Sequence, residues 1–136
     1  MWAIRKKLRD NRMGYMWVDA RIWNIEEPSR EKRLKLLADT GAIYTVIPSK
    51  ILEELGVEVI GRRRFRLANN QVIVRDIGLI GIEVKGIKTY TQAVFGDDNV
   101  YLLGVVTLEE LGFEIDSVTG DLKPMELLLM KYEYGG

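Results

Sequence analysis

An eight-residue segment occurs twice in this chain. "LEELGVEV", Leu52 to Val59, returns as "LEELGFEI", Leu108 to Ile115, with six of the eight positions identical. Leu-Glu-Glu-Leu-Gly is in its own right a good amphipathic helical turn with a glycine stop, and that pattern alone accounts for many such matches. Here the flanks match as well: "TVIP" precedes the first copy and "YLLG" the second, each a short apolar strand ended by a helix-breaking residue. We read the pair as an internal structural duplication. It constrains the fold to two strand-then-helix units with short helices. A chain of 136 residues holds both inside one domain.

The remainder has the two-residue period of β-structure. In "YMWVDARIWNI", Met16, Val18, Ala20 and Ile22 fall on one face, and Tyr15, Trp17, Asp19, Arg21 and Trp23 on the other. A charged turn around Pro28 follows. "LKLLA" then predicts a more deeply buried strand ending at Asp39, and "IYTVIP" another, stopped by Pro48. Two short helices are expected, "SKILEELG" with Ser49 as N-cap and "TLEELG" with the capping-box spacing Thr107 to Glu110. Gly56 and Gly112 are their stops. Between them, "RRRFRLANNQVIVRDIGLIGIEVKGIKTYTQAVFG" is a succession of β-type segments, with Asn69-Asn70 suited to a two-residue turn of positive φ. "EIDSVTGDLKP" predicts a hairpin turning at Thr119-Gly120, and "MELLLMKYEY" a last strand. Residues 1–14 are read as an N-terminal extension and 15–136 as a single, mostly-β domain with two short helices.

Composition removes whole classes of chemistry. The chain has no histidine and no cysteine, which excludes Ser-His and Cys-His catalysis, disulfides, and His- or Cys-ligated metals. Acid–base work must fall to carboxylates, lysine or tyrosine. Lysine plus arginine balances aspartate plus glutamate at 20 each, so there is no overall field for nucleic acid or an anionic membrane. The cluster Arg62, Arg63, Arg64 and Arg66 is read as a solvated strand face. Neither a signal peptide nor a bilayer-length apolar run is present, and a cytoplasmic protein is expected.

Within that restriction one stretch stands out, "LLADTGA", in which Asp39, Thr40 and Gly41 follow an apolar run. Asp-Thr-Gly alone is a weak signal. Its setting is more specific: Ala42 follows, then a Thr-Val-Ile strand and a short helix, and far downstream "YLLGV" precedes the second helix. This arrangement, from Tyr15 to Pro124, resembles the retropepsin-like aspartic proteases. The resemblance implies a closed-barrel-like acid-protease fold and an aspartic endopeptidase that acts on peptides or unfolded proteins without cofactor or metal. Asp39 would be catalytic. Thr40 would link two active-site loops, and the Gly41 N–H would donate to the carboxylate. Gly104 would let its strand pass close to the Asp39 loop, with Leu102 and Leu103 packed beneath. Leu67, Ala68, Asn69, Asn70, Gln71 and Val72 would form the flap over the substrate, although its tip lacks the glycines common in the family.

The motif occurs once. Asp97 and Asp98, in "AVFGDDNV", lack the Thr-Gly context and are read as a turn. The resemblance therefore implies a homodimer in which each copy supplies one aspartate. The Tyr15, Trp17, Trp23 stripe and residues 125–136 are candidate interface segments. Ala42 stands where pepsin-type enzymes usually carry serine, which removes a donor and predicts activity reaching closer to neutral pH. The alternatives are a catalytically inactive retropepsin-like module for dimerisation or protein binding, and a small β-barrel binding a small ligand.

Overall fold

A computed structural model describes residues 15–126. The predicted N-terminal extension and most of the predicted last strand lie outside them. The two-residue alternation forms β1 (Tyr15–Trp23), which pairs antiparallel with β2 (Glu31–Asp39). Val18, Ala20 and Ile22 are buried, as the alternation predicts. Trp23 departs from it. Although on the other face, it is only 7% exposed, because its indole fills the space over Gly81 where any Cβ would collide with it. The Arg21 guanidinium lies 4.3 Å from the ring centroid. Of the aromatic stripe only Trp17 is largely exposed.

The turn after β1 is locked by Asn24. Its buried amide donates to the Leu55 and Gly56 carbonyls at 2.9 and 3.0 Å, and its Oδ1 accepts from the Glu26 and Glu27 N–H groups. Each bond satisfies a group that would otherwise be costly to bury. Leu55 and Gly56 close α1 (Ser49–Glu54), which follows β3 (Thr45–Pro48). Here the predicted cap is corrected. Pro48, not Ser49, is the N-cap, and the Ser49 hydroxyl donates instead to the Gly96 carbonyl at 3.1 Å.

The long middle segment forms β4 (Gly61–Arg66), β5 (Val72–Val84) and β6 (Ile87–Gly96). Then come β7 (Leu102–Leu103), α2 (Val105–Leu111) and a separate hairpin of β8 (Phe113–Ile115) and β9 (Leu122–Pro124). α2 starts earlier than its capping-box spacing predicts, which places Thr107 inside the helix and fully buried. No side-chain cap is needed, because the free N–H groups of Val105 and Val106 donate to the carbonyls of Ala42 and Ile43. Gly112 ends α2 in the left-handed conformation, as expected of a helix stop.

The strands run in the order β1-β2-β7-β3-β6-β5-β4, and a further pairing of β1 with β5 closes six of them into a ring. The order of that ring is palindromic. Exchanging β1 with β5, β2 with β6, and β3 with β7 returns the same sequence of neighbours. The pairing senses obey the exchange too: β2–β7 and β3–β6 are both parallel, and the central β3–β7 contact, Val46 to Leu102, is antiparallel. A local two-fold axis between two β-β-strand-helix units has this signature, in agreement with the sequence repeat. Ile22, Leu36, Leu52, Ile80, Ile82 and Leu103 fill the interior with almost no exposure. The β4–β5 hairpin projects from the ring, since β5 pairs with β4 only through residues 72–77 and with β6 beyond. No helix among the described residues is long and apolar enough to cross a membrane.

Candidate active site

The two sequence blocks that carry the resemblance meet in the fold. Leu37 and Ala38 of β2 lie beside Leu102 and Leu103 of β7 in parallel register, and the Leu37 N–H donates to the Tyr101 carbonyl at 2.8 Å. Ala38 and Leu103 are completely buried, whereas Thr40 and Gly41 are exposed. The chain thus passes from core to surface across Asp39, which is half-buried. An apolar strand anchors the carboxylate and a tight loop presents it.

That loop is braced from both sides. The Gly41 N–H donates to Asp39 Oδ1 at 2.9 Å, and the Ala42 N–H to the Asp39 carbonyl at 2.9 Å. On the far side are the α2 N–H groups on the Ala42 and Ile43 carbonyls. Gly104 makes that contact possible: a Cβ there would stand 2.5 Å from the Ile43 carbonyl oxygen and closer still to the Tyr44 backbone. Of the predicted loop partners, Leu103 is core, Leu102 borders a cleft, and Gly104 abuts the loop itself.

Beneath the loop is a group of residues that sequence reasoning missed. The Thr107 hydroxyl lies 2.6 Å from that of Thr45 and 2.7 Å from that of Thr91, and Thr45 Oγ1 accepts the Gly104 N–H at 3.1 Å. All three threonines are buried. They tie β3, β6 and α2 to the residue that touches the Asp39 loop. Thr107 was legible only as a cap, and nothing in the sequence links three positions so far apart.

A cleft of about 710 Å³ opens between the loop and the β4–β5 hairpin. Gly41, Ala42, Tyr44, Phe65, Leu67 and Ile73 are among the residues lining it. Phe65 of the hairpin meets Tyr44 edge to face, with centroids 5.8 Å apart. Of the segment expected to be a flap, Leu67 and Gln71 line this cleft, across from Gly41 and Ala42. The tip of that segment differs from the two-residue turn predicted. Leu67 and Gln71 exchange the closing bond, Leu67 N–H to Gln71 carbonyl at 2.8 Å, and the Asn70 N–H donates to the Leu67 carbonyl. Ala68, Asn69 and Asn70 form a three-residue loop, in which only Asn70 has positive φ, at 70°. This is the type I turn plus left-handed residue common in such hairpins. The Asn69 side chain reinforces it by accepting the Gln71 N–H at 2.9 Å. Gln71 borders the cleft, and Val72 begins β5.

The second half of the palindrome has its own loop after β6. Asp97 sits 3.2 Å from Arg75 and Asp98 3.6 Å from Lys50, while the Val100 N–H donates back to the Asp97 carbonyl. Asn99 takes φ of 71°. The turn predicted for this stretch is what forms. It offers ion-paired surface carboxylates in place of a second Asp-Thr-Gly.

Comparison with known proteins agrees with this geometry. No curated protein sequence matches the chain. The fold is similar to that of the simian foamy virus (mac) protease determined in solution, with a TM-score of 0.51 and 20% identity over 71% of this chain and 94% of that one. Residues 30–110, more than half of the chain, match the family described as "gag-polyprotein putative aspartyl protease". The chain belongs to that family, and so to the retropepsin-like aspartic proteases.

Proposed function

We propose that the protein is an aspartic endopeptidase that works as a homodimer, with Asp39 of each copy forming the catalytic dyad. One observation carries this reading: the loop holding Asp39 is braced by the core yet exposed at its tip, while the pseudo-symmetric loop has no free carboxylate to complete a pair. A second copy related by a two-fold axis would bring Asp39 against Asp39. In such a dimer Thr40, whose side chain is exposed and has no hydrogen-bond partner among the described residues, would contact the facing loop.

Two carboxylates brought to about 3 Å cannot both ionise readily, so the pair holds one proton and titrates as a unit. The ionised member takes a proton from water as the water oxygen bonds to the scissile carbonyl carbon. The protonated member donates to the carbonyl oxygen. Collapse of the tetrahedral intermediate breaks the C–N bond, and a proton from the dyad goes to the leaving amine. The substrate lies extended in the cleft beneath the β4–β5 hairpin.

The test is proteolysis of an unfolded protein by the wild type beside Asp39→Asn. That substitution keeps the oxygen that accepts from Gly41 and removes the charge. Activity should fall by roughly 10²–10⁴-fold, the usual share of acid–base catalysis. Cleavage surviving the substitution, or absent from the wild type, overturns the peptidase reading. Dimerisation has its own readout. In an equal mixture allowed to exchange subunits, only about one quarter of the dimers keep both aspartates. Activity per wild-type chain should therefore drop to about half. A mixture that shows no such loss removes the shared dyad.

A further inference from the structure

The cleft meets β4 along its edge. β4 is last in the sheet order, and among the described residues only β5 pairs with it. Four consecutive residues, Arg64, Phe65, Arg66 and Leu67, border the cleft. Side chains alternate between the two faces of a strand, so Phe65, with Ile73 and Arg75 of β5, puts one face of the hairpin on the cleft, and Arg64 and Arg66, from the opposite face, border it where the edge of β4 is free. Unpaired N–H and C=O groups on such an edge accept an extended peptide as a further strand.

The charge along that edge is uneven. Arg62 is held by Asp76 at 3.2 Å, and Arg75 by Asp97 at 3.2 Å. Arg64 and Arg66 are exposed and have no carboxylate partner among the described residues. Among the described residues the only hydrogen bond of the Arg66 guanidinium is to the Asn70 carbonyl. Their cross-strand neighbours on β5, Val74 and Val72, are apolar and also exposed. One face of the β4 edge therefore presents two cations spaced two residues apart, in a protein whose net charge is zero. On the other face stands Phe65, against Tyr44.

We infer that this enzyme selects peptide segments with acidic side chains at two alternating positions and an apolar residue between them. A strand added to β4 sets its side chains about 4.5–5.5 Å from those of β4. On one face positions i and i+2 come opposite Arg64 and Arg66, and on the other face i+1 comes beside Phe65. Glutamate or aspartate at i and i+2 finds two uncompensated guanidinium groups, and lysine there meets repulsion. The inference names the substrate class for the peptidase proposed above and rests on that reading.

The test separates the two. Fluorescent decapeptides of identical composition are titrated into the Asp39→Asn protein by anisotropy, with two glutamates either alternating around a leucine or placed side by side. A third peptide carries glutamine at both positions, and a fourth lysine. The alternating acidic peptide should bind roughly three- to tenfold tighter than the glutamine peptide, as two partly solvated ion pairs allow. The gap should narrow as salt is raised. It should vanish in Arg64→Gln/Arg66→Gln, return in Arg64→Lys/Arg66→Lys, and reverse toward the lysine peptide in Arg64→Glu/Arg66→Glu. Circular dichroism on each variant checks that the hairpin substitutions leave the fold intact. Equal binding of the four peptides, no binding of any, or a preference unchanged by charge reversal overturns the inference. So does sedimentation showing that charge reversal only dissociates the dimer. Wild-type cleavage of all four peptides with equal kcat/KM would sink the selectivity while leaving the peptidase reading standing. Acid-selective binding without wild-type cleavage would do the opposite.

Discussion

The loops after β2 and β6 occupy matching places in a palindromic ring, yet they have opposite fates. After β2 the chain gives Asp39, Thr40 and Gly41, with a carboxylate oxygen that accepts a backbone N–H of its own loop. After β6 it gives Asp97 and Asp98, whose carboxylates face Arg75 and Lys50. Both loops carry acid, but only one sets it in an Asp-Thr-Gly turn. The comparison shows how a duplicated fold divides its labour. On the proposed reading one loop keeps the chemistry, while the other is an ion-paired surface turn. Two-fold symmetry lost within the chain would then be restored between chains.

Neutralising each loop in turn separates their roles. Asp39→Asn should remove roughly 10²–10⁴-fold of the peptidase activity with its melting temperature little changed. Asp97→Asn should leave kcat/KM within a few-fold and stability within about 1 kcal/mol, since exposed ion pairs are worth little. Equal losses from both would mean that the second loop shares in catalysis.

Next in size are substitutions at the braces. Gly104→Ala drives a methyl group into the Ile43–Tyr44 backbone, which cannot yield as a side-chain tip can. A loss of about 1–3 kcal/mol or more in chemical denaturation is expected. Activity should fall as well, because the atoms displaced belong to the loop that follows Asp39. Thr107→Val keeps the shape of the buried hydroxyl cluster but takes a partner from Thr45 and from Thr91. It should cost about 1–3 kcal/mol. A Thr107→Ser protein, which retains the hydroxyl, should recover most of any lost activity if the cluster positions the loop.

The smallest effect lies far from the loops, where Arg21 bonds Glu83 at 2.7 Å between β1 and β5 and helps close the ring. The hydrogen bond from Arg21 holds the Glu83 carboxyl below its ordinary value against the opposing effect of desolvation. A carboxyl more acidic folded than unfolded stabilises the fold above the ordinary glutamate range. That contribution is lost as pH falls through the lowered folded value. Glu83→Gln should therefore narrow the stability difference between neutral and acid pH, read as melting temperature against pH. A parallel shift of the whole curve would mean that the pair does not titrate in this way. The pH–rate profile is a separate matter. Ala42 gives the proposed dyad no side-chain hydroxyl, and activity should extend closer to neutral pH than that of pepsin-type enzymes. A profile confined to strong acid would contradict this.

Much of the architecture was legible because it is periodic. Val18, Ala20 and Ile22 turned inward as the alternation required, and the repeated Leu-Glu-Glu-Leu-Gly became two short helices, each with a left-handed glycine after it. Errors gathered where a distant backbone replaced a local side chain. Thr107 has the spacing of a cap, but the Ala42 and Ile43 carbonyls take the free N–H groups, so the helix starts earlier and buries the threonine. Ser49 yields its cap position because its hydroxyl finds Gly96. Trp23 belongs by period to the outer face, yet a glycine on another strand makes room to cover it.

The β-rich class, the two helices and the lone Asp-Thr-Gly are written in the order of residues along the chain. The sequence also excluded every chemistry that needs histidine or cysteine. These depend on residue type and on spacing along the chain, which are local quantities. Only the tertiary structure decided that β2 and β7 run side by side, and that the ring reads the same in both directions. Only the fold, again, brought Thr45, Thr91 and Thr107 to one point, or left Arg64 and Arg66 without a carboxylate partner among the described residues, beside the edge strand β4. Those features rest on which remote segments meet. The pairing is set by burial summed over the whole core, and no single stretch of the chain encodes it.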